Sequence, residues 1–177
     1  MSLSGWMILN KIKIFLTDID GVWTDGGMYY DENGNEYKKF NTYDSAGVLY
    51  CHLIGIKTGI VTGESSNAVL LRAKKLGINY CYTGVDDKVS VISNLLSKLS
   101  FKWSEVAYIG DDINDIKVLK KVGLSACPSS APNYIKDIVD LVIDLKGGEG
   151  CFRSFVEYYL KENEKLDFAI NEYLKNI

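Results

Sequence analysis

From residue 44 onward, short apolar runs of strand length alternate with amphipathic runs of helix length, and this rhythm restricts the chain to an α/β fold. The pattern predicts a helix from Asp44, as its cap, to about Leu53, and a strand over 56–61. A helix from Ser65 or Ser66 to near Gly77 and a strand over 78–82 follow. The alternation continues with helix 86–99, strand 106–109, helix 113–121, strand 125–127, helix 131–138 and strand 141–143. Two helices, 152–162 and 167–176, close the chain. Strands separated by helical crossovers form a parallel sheet covered on both faces, so a three-layer, Rossmann-like arrangement is expected. Upstream, 11–17 reads as a further buried strand running straight into Asp18-Ile19-Asp20-Gly21. Between them, about 27–41, a β-hairpin insertion is expected around Asn33-Gly34, because Asn-Gly is a strong turn signal.

A chain of 177 residues has room for one ordinary domain, so 1–177 is read as a single unit with C-terminal helices over about 151–177. Its 47% hydrophobic content contains no run near the roughly 20 apolar residues of a membrane span. Met1–Met7 lacks the basic start and apolar stretch of a signal peptide, so a cytoplasmic protein away from membranes is expected. A net charge of -3 offers no basic stripe for nucleic acid. Cys51, Cys81, Cys127 and Cys151 form no CxxC pair and read as reduced, mostly buried thiols.

Open parallel sheets bind ligands beyond the carboxyl ends of their strands. Asp18, Thr62 and Asp111 all fall at such ends. Four pieces therefore belong together: Asp18-Ile19-Asp20-Gly21-Val22, Val61-Thr62-Gly63, Lys88 at a helix start, and Gly110-Asp111-Asp112-Ile113-Asn114-Asp115. Each is common alone; their shared placement and order are not. Phosphoryl transfer needs an in-line nucleophile, cations for the phosphate and a proton donor for the leaving alcohol. Asp18 suits the first role and Asp20 the last. The Thr62 hydroxyl, the Gly63 N–H and the Lys88 ammonium would cradle phosphate oxygens. The acidic cluster from Asp111 to Asp115 offers the oxygen-only ligands that Mg2+ prefers.

These four pieces resemble the motifs of the haloacid dehalogenase superfamily of phosphatases. The resemblance implies that Asp18 becomes phosphorylated, that Asp20 acts as acid and then base, and that Thr62 and Lys88 bind phosphate. It also implies that Mg2+ is held by Asp18, the backbone carbonyl of Asp20 and Asp111, supported by Asp115 and Asp112. With 17–27, Asp44-Ser45-Ala46-Gly47, Thr62-Gly63-Glu64, Gly84-Val85-Asp86-Asp87-Lys88 and Gly147-Gly148-Glu149-Gly150, the chain further resembles the compact sugar-acid phosphatases. That group has no large cap domain. It forms homotetramers in which hairpins assemble and a neighbouring subunit closes the active site.

One departure bears on specificity. Octulosonate 8-phosphate phosphatases typically carry arginine after the Thr-Gly pair, whereas this chain has Glu64, a carboxylate suited to sugar hydroxyls or an amine. Glu64, with Arg72 and Lys75 on one helix face, resembles the nonulosonate branch, exemplified by the phosphatases of 2-keto-3-deoxy-D-glycero-D-galacto-nononate (KDN) 9-phosphate. A Mg2+-dependent phosphatase for KDN 9-phosphate or N-acetylneuraminate 9-phosphate is expected, with an octulosonate 8-phosphate phosphatase as the alternative. Arg72 and Lys75 are expected to hold the substrate carboxylate, from the same or the adjacent subunit. The non-enzymatic alternatives are a receiver-like phosphoacceptor, whose motif order differs, and a regulatory subunit. His52, the only histidine, reads as structural. The segment 147–153 reads either as a closing tail or as a loop leading into a capped helix.

Overall fold

The computed structural model describes residues 12–175. Met1–Met7, the start of the expected first strand at Lys11, and Asn176 at the end of the last helix lie outside the described residues.

The core is a parallel sheet of six strands: β1 (Ile14–Thr17), β4 (Lys57–Val61), β5 (Tyr80–Tyr82), β6 (Val106–Ile109), β7 (Leu124–Pro128) and β8 (Leu141–Ile143). Their order is β5-β4-β1-β6-β7-β8, with Thr17 aligned to Ile60 on one side and Ile109 on the other. The chain builds outward from β1 to β5, then returns to start β6 on the opposite flank of β1. This reversal creates the switch point at which such sheets bind ligands.

Strand residues alternate between faces, and β1 shows the consequence. Phe15 enters one core, with residues of α1 (Asp44–Leu53), α2 (Asn67–Leu76), α6 (Cys151–Glu162) and α7 (Leu166–Leu174). Ile14 and Leu16 enter the other, beneath α3 (Lys88–Leu99), α4 (Ile116–Leu119) and α5 (Asn133–Lys136). The expected three layers are present, and no large cap appears among the described residues. The Phe15 ring meets Phe155 and Tyr159 edge-on, with centroids 5.2 and 5.4 Å away. Such pairs add roughly 0.5–1.5 kcal/mol each to the burial itself.

The expected 113–121 helix is a 3-10 turn, Ile113–Asp115, followed by the short α4. The first turn tightens because the Asp115 carboxylate folds back to accept the N–H groups of Asp111 and Asp112. Asp44 does begin α1, yet it caps a different helix. Its Oδ1 accepts N–H bonds from Phe152 and Arg153, at 3.0 and 3.3 Å, at the start of α6. Close packing fixes this arrangement, since a Cβ on Gly47 would stand 2.9 Å from Arg153 Cα.

The hairpin has two short strands, β2 (Tyr29–Tyr30) and β3 (Glu36–Tyr37), paired antiparallel. Asp31 organises its loop by accepting from the N–H groups of Asn33 and Asn35, and Gly34 takes the left-handed conformation (φ 80°). Tyr29, Tyr30 and Tyr37 are exposed in this chain, so they add nothing to its own core. No helix of the described residues is long and apolar enough to cross a membrane.

Candidate active site

At the end of β1 the buried Thr17 hydroxyl accepts the Trp23 indole N–H at 3.1 Å. The chain then turns so that the N–H groups of Val22, Trp23 and Thr24 all point to the Ile19 carbonyl. Gly21 lies at φ 76°, and a Cβ there would fall 1.9 Å from Asp111 Oδ2. Glycine is thus required for the Asp18–Asp20 turn to sit against the β6 loop. Asp18, 5% exposed, accepts the Ile19 N–H at Oδ1 (2.7 Å) and the Lys88 ammonium at Oδ2 (2.6 Å).

Lys88 opens α3, whose N-cap Asp87 accepts from Ser90 N–H at 3.1 Å. Its side chain is 1% exposed and bridges Asp18 to Asp115, 2.7 Å away. Burial alone would pull the ammonium pKa down. The Asp18 and Asp115 charges outweigh that penalty, so the pKa is raised and the cation persists. Asp115 is fully enclosed and its acceptor sites are taken. Oδ1 receives Lys88 and the Tyr108 hydroxyl (2.5 Å), and Oδ2 receives the Asp111 and Asp112 N–H groups. Burial, reinforced by Asp115, holds the Tyr108 phenol protonated as the donor.

Two carboxylates pair with this ammonium, and Asp111 stands beside them. Asp18, Asp111 and Asp115 each present an oxygen within 4.8 Å of the others. Burial, and next the Asp115 charge, raises Asp18 to about 6 despite Lys88. Burial, then Asp18, Asp115 and Asp112, raises Asp111 to about 8. Such a cluster is short of positive charge, and its oxygen-only donors fit a hard divalent cation. Because Asp115 already serves four donors, Asp18 and Asp111 are the side chains left to hold it.

A cavity of about 380 Å³ opens above these groups, lined by Asp18, Asp20, Thr62, Gly63, Glu64, Asp111 and Asp112. Lys88 and Asp115 sit beneath its floor. Arg72 and Lys75 are not part of its wall. Arg72 Nη2 instead donates to the Asn41 carbonyl (3.2 Å) over the Phe40 ring, its Nε–H is buried without a partner, and Lys75 is exposed. His52 is exposed and lies outside the cavity. The four cysteines are free. The 147–150 loop is held in place, with Gly147 N–H on Ser130 Oγ and Gly148 N–H on the Val22 carbonyl, and it leads into α6 capped by Asp44. Arg153 pairs with Glu157, one turn on.

The sequence gives no role to Asp25, Asn114 and Ser130 in the wall, to Tyr108 beneath it, or to Lys38. Lys38 reaches from the hairpin with a 1% exposed side chain to grip both Asp20 oxygens, at 2.7 and 2.8 Å. Tyr108 is indistinguishable from core in the run Val106–Ile109. Lys38 shares strand parity with Glu36, its second ion-pair partner at 3.0 Å, the one hint that this face turns inward.

Residues 83–153 match a family model described as haloacid dehalogenase-like hydrolase. The chain is 37% identical over 159 residues to 3-deoxy-D-manno-octulosonate 8-phosphate phosphatase KdsC of Escherichia coli K12, covering 90% of this chain and 85% of that protein. A crystal structure of a probable yrbI family phosphatase from Pseudomonas syringae superposes with a TM-score of 0.92 at 36% identity, covering 98% of both chains. The 3-deoxy-D-manno-octulosonate 8-phosphate phosphatase of Moraxella catarrhalis, solved with magnesium, phosphate and KDO, superposes with a TM-score of 0.92 at 32% identity, covering 98% of this chain and 99% of that one. With nine-tenths of its length matched at this identity, the chain belongs to the haloacid dehalogenase-like hydrolases, and within them to the KdsC-like phosphatases that lack a large cap.

Proposed function

We propose that this phosphatase hydrolyses a nonulosonate 9-phosphate, KDN 9-phosphate or N-acetylneuraminate 9-phosphate, through an aspartyl-phosphate on Asp18. The observation that carries the substrate reading is Glu64 on the cavity wall, directly beyond Thr62 and Gly63. A carboxylate there accepts hydrogen bonds from sugar hydroxyls or an amine, and it repels a substrate carboxylate placed against it. Arg72 and Lys75 lie outside their own cavity, so we assign them to the substrate carboxylate in a neighbouring subunit's site, within a homotetramer assembled through the exposed hairpin tyrosines.

The residues perform the reaction as follows. Asp18, ionised at neutral pH, attacks phosphorus, and the bond from phosphorus to the leaving oxygen breaks. Asp20 gives its proton to that oxygen, releasing the alcohol. As a carboxylate, Asp20 then takes a proton from water, whose oxygen attacks phosphorus and frees Asp18. Thr62, Gly63 and Lys88 hold phosphate oxygens, while Asp115 and Tyr108 fix Lys88. Mg2+, bound by Asp18, Asp111 and the Asp20 carbonyl, would neutralise charge developing on the phosphoryl group.

A panel of sugar-acid phosphates tests this reading. Nonulosonate 9-phosphates are expected to exceed octulosonate 8-phosphate in kcat/KM by at least about 10-fold, and Glu64→Arg to erase that preference. The second reading, octulosonate 8-phosphate, is favoured by the names of the Escherichia coli and Moraxella relatives. It wins if that ester is hydrolysed better and Glu64→Arg changes nothing. Absence of turnover on every ester, with stable phosphorylation of Asp18, would point instead to a phosphoacceptor.

Metal binding has a readout independent of turnover. Without a cation, Asp111 keeps its proton to about 8, whereas an unfolded chain loses it near pH 4. The folded state binds the extra proton between these values, so metal-free stability falls as pH rises from about 4 to about 8. Saturating Mg2+ is therefore expected to raise the melting temperature by about 5–10 °C at pH 8, and by less at pH 6. Equal shifts at both pH values would show that protons and metal do not compete for this cluster.

A further inference from the structure

We propose that Lys38 is a positioning residue that orients the Asp20 carboxylate toward the leaving-group oxygen. This rests on the reading of Asp20 as acid and base. The Lys38 ammonium lies 2.7 Å from Asp20 Oδ1 and 2.8 Å from Oδ2. Near-equal distances put the cation midway between the two oxygens, so it restrains both of them at once. Thr24 Oγ1 adds a donor to Oδ1 at 3.2 Å.

An ionised carboxylate has about four lone-pair sites, and Lys38 and Thr24 occupy three of them. The remaining site is left to carry the proton that passes to the leaving oxygen, on a side chain that lines the cavity and is 26% exposed. The cation is itself held firmly. Its side chain is 1% exposed, and Glu36 Oε1 stands 3.0 Å away as an ion pair. The Lys38–Glu36 pair lies within the hairpin, so the contact that reaches the body of the protein is the one to Asp20, and it engages both oxygens of a carboxylate that lines the cavity. A buried lysine whose carboxylate partners are in place does not drift, since leaving either charge unpaired there is costly.

Leaving-group dependence separates this role from a structural one. An alkoxide needs Asp20's proton as its bond to phosphorus breaks, whereas p-nitrophenolate departs largely unaided. With Mg2+ and the full chain, Lys38→Met is expected to lower kcat about 100-fold on the primary alkyl phosphate that wild type turns over fastest, with KM unchanged. On p-nitrophenyl phosphate the loss is expected to stay below about fivefold. Lys38→Arg, which keeps a cation, is expected to recover most of the alkyl-phosphate rate. Equal losses on both esters, or a change in KM alone, would overturn the proposal.

If Lys38→Met does not fold, Glu36→Gln loosens the ammonium while retaining it. A weaker form of the same leaving-group dependence is expected, and a uniform loss would again overturn the proposal. Wild type that hydrolyses neither ester refutes the reading of Asp20 and this inference with it. Wild type that hydrolyses both, with a uniformly impaired Lys38→Met, refutes the inference alone.

Discussion

Asp18→Asn is expected to reduce turnover of every phosphomonoester by roughly 10,000-fold or more, because it removes the atom that bonds to phosphorus. The fold is expected to survive. Asparagine keeps an oxygen for the Ile19 N–H bond, and Asp115 continues to pair with Lys88. Electrostatics argue further that the metal-free variant melts no lower than wild type. Asp18 is raised to about 6, chiefly by burial and then by Asp115, so its ionisation costs stability as pH rises from about 4 to about 6. The neutral amide removes that cost. Thermal melts in chelator at pH 7.5, beside phosphate release with Mg2+, check both halves. Wild-type turnover would exclude Asp18 as the nucleophile, and a large loss of stability would show that its charge supports the fold.

The motifs were legible because chemistry and topology coincide at one edge of the sheet. Apolar runs ending in Asp18, Thr62 and the Gly110-Asp111 pair announce three strands, and a parallel sheet points all their carboxyl ends the same way. The strands carrying them, β4, β1 and β6, are indeed adjacent. Lys88 was legible as well, near the start of a helix expected from Asp86, which begins at Lys88 itself behind the Asp87 cap. Less visible were groups whose function depends on a long-range contact. Asp44 reads as the cap of its own helix, and only the packing of α1 on α6 turns its carboxylate to Phe152 and Arg153.

Local pattern also hides polar groups placed inside strands. Tyr108 alternates correctly as core, and its hydroxyl matters only because Asp115, seven residues later, folds back beneath it. Lys38 sits in a hairpin read as an insertion, where a lysine ordinarily meets water. Its burial depends on the hairpin lying down against the Asp18–Thr24 turn, a placement that strand periodicity does not encode. The short β2 and β3 follow from the same docking, since pairing ends at Tyr37 and Lys38 is the next residue.

Lys88→Met tests the charge balance of the whole site. Methionine matches the aliphatic stem in length, so the core of α3 keeps its packing and the charge is the main loss. Removing the ammonium leaves Asp18, Asp111 and Asp115 together within 4.8 Å, with hydrogen bonds but no cation. Breaking a buried ion pair from one side costs about 3–5 kcal/mol, and for a chain of this length that corresponds to a melting temperature lower by roughly 6–20 °C. The sign of the pH dependence follows from the same groups. Asp18 and Asp111 are raised even with Lys88 present, and its loss raises them further. The folded variant then holds protons that the unfolded chain has released, and its deficit against wild type grows as pH rises from 5.5 to 8. Mg2+ is expected to recover part of the stability without restoring turnover, since phosphate oxygens still lack the Lys88 donor. Melts of both proteins at the two pH values, with and without Mg2+, measure this directly; a deficit independent of pH would assign Lys88 to packing rather than to neutralising the carboxylates.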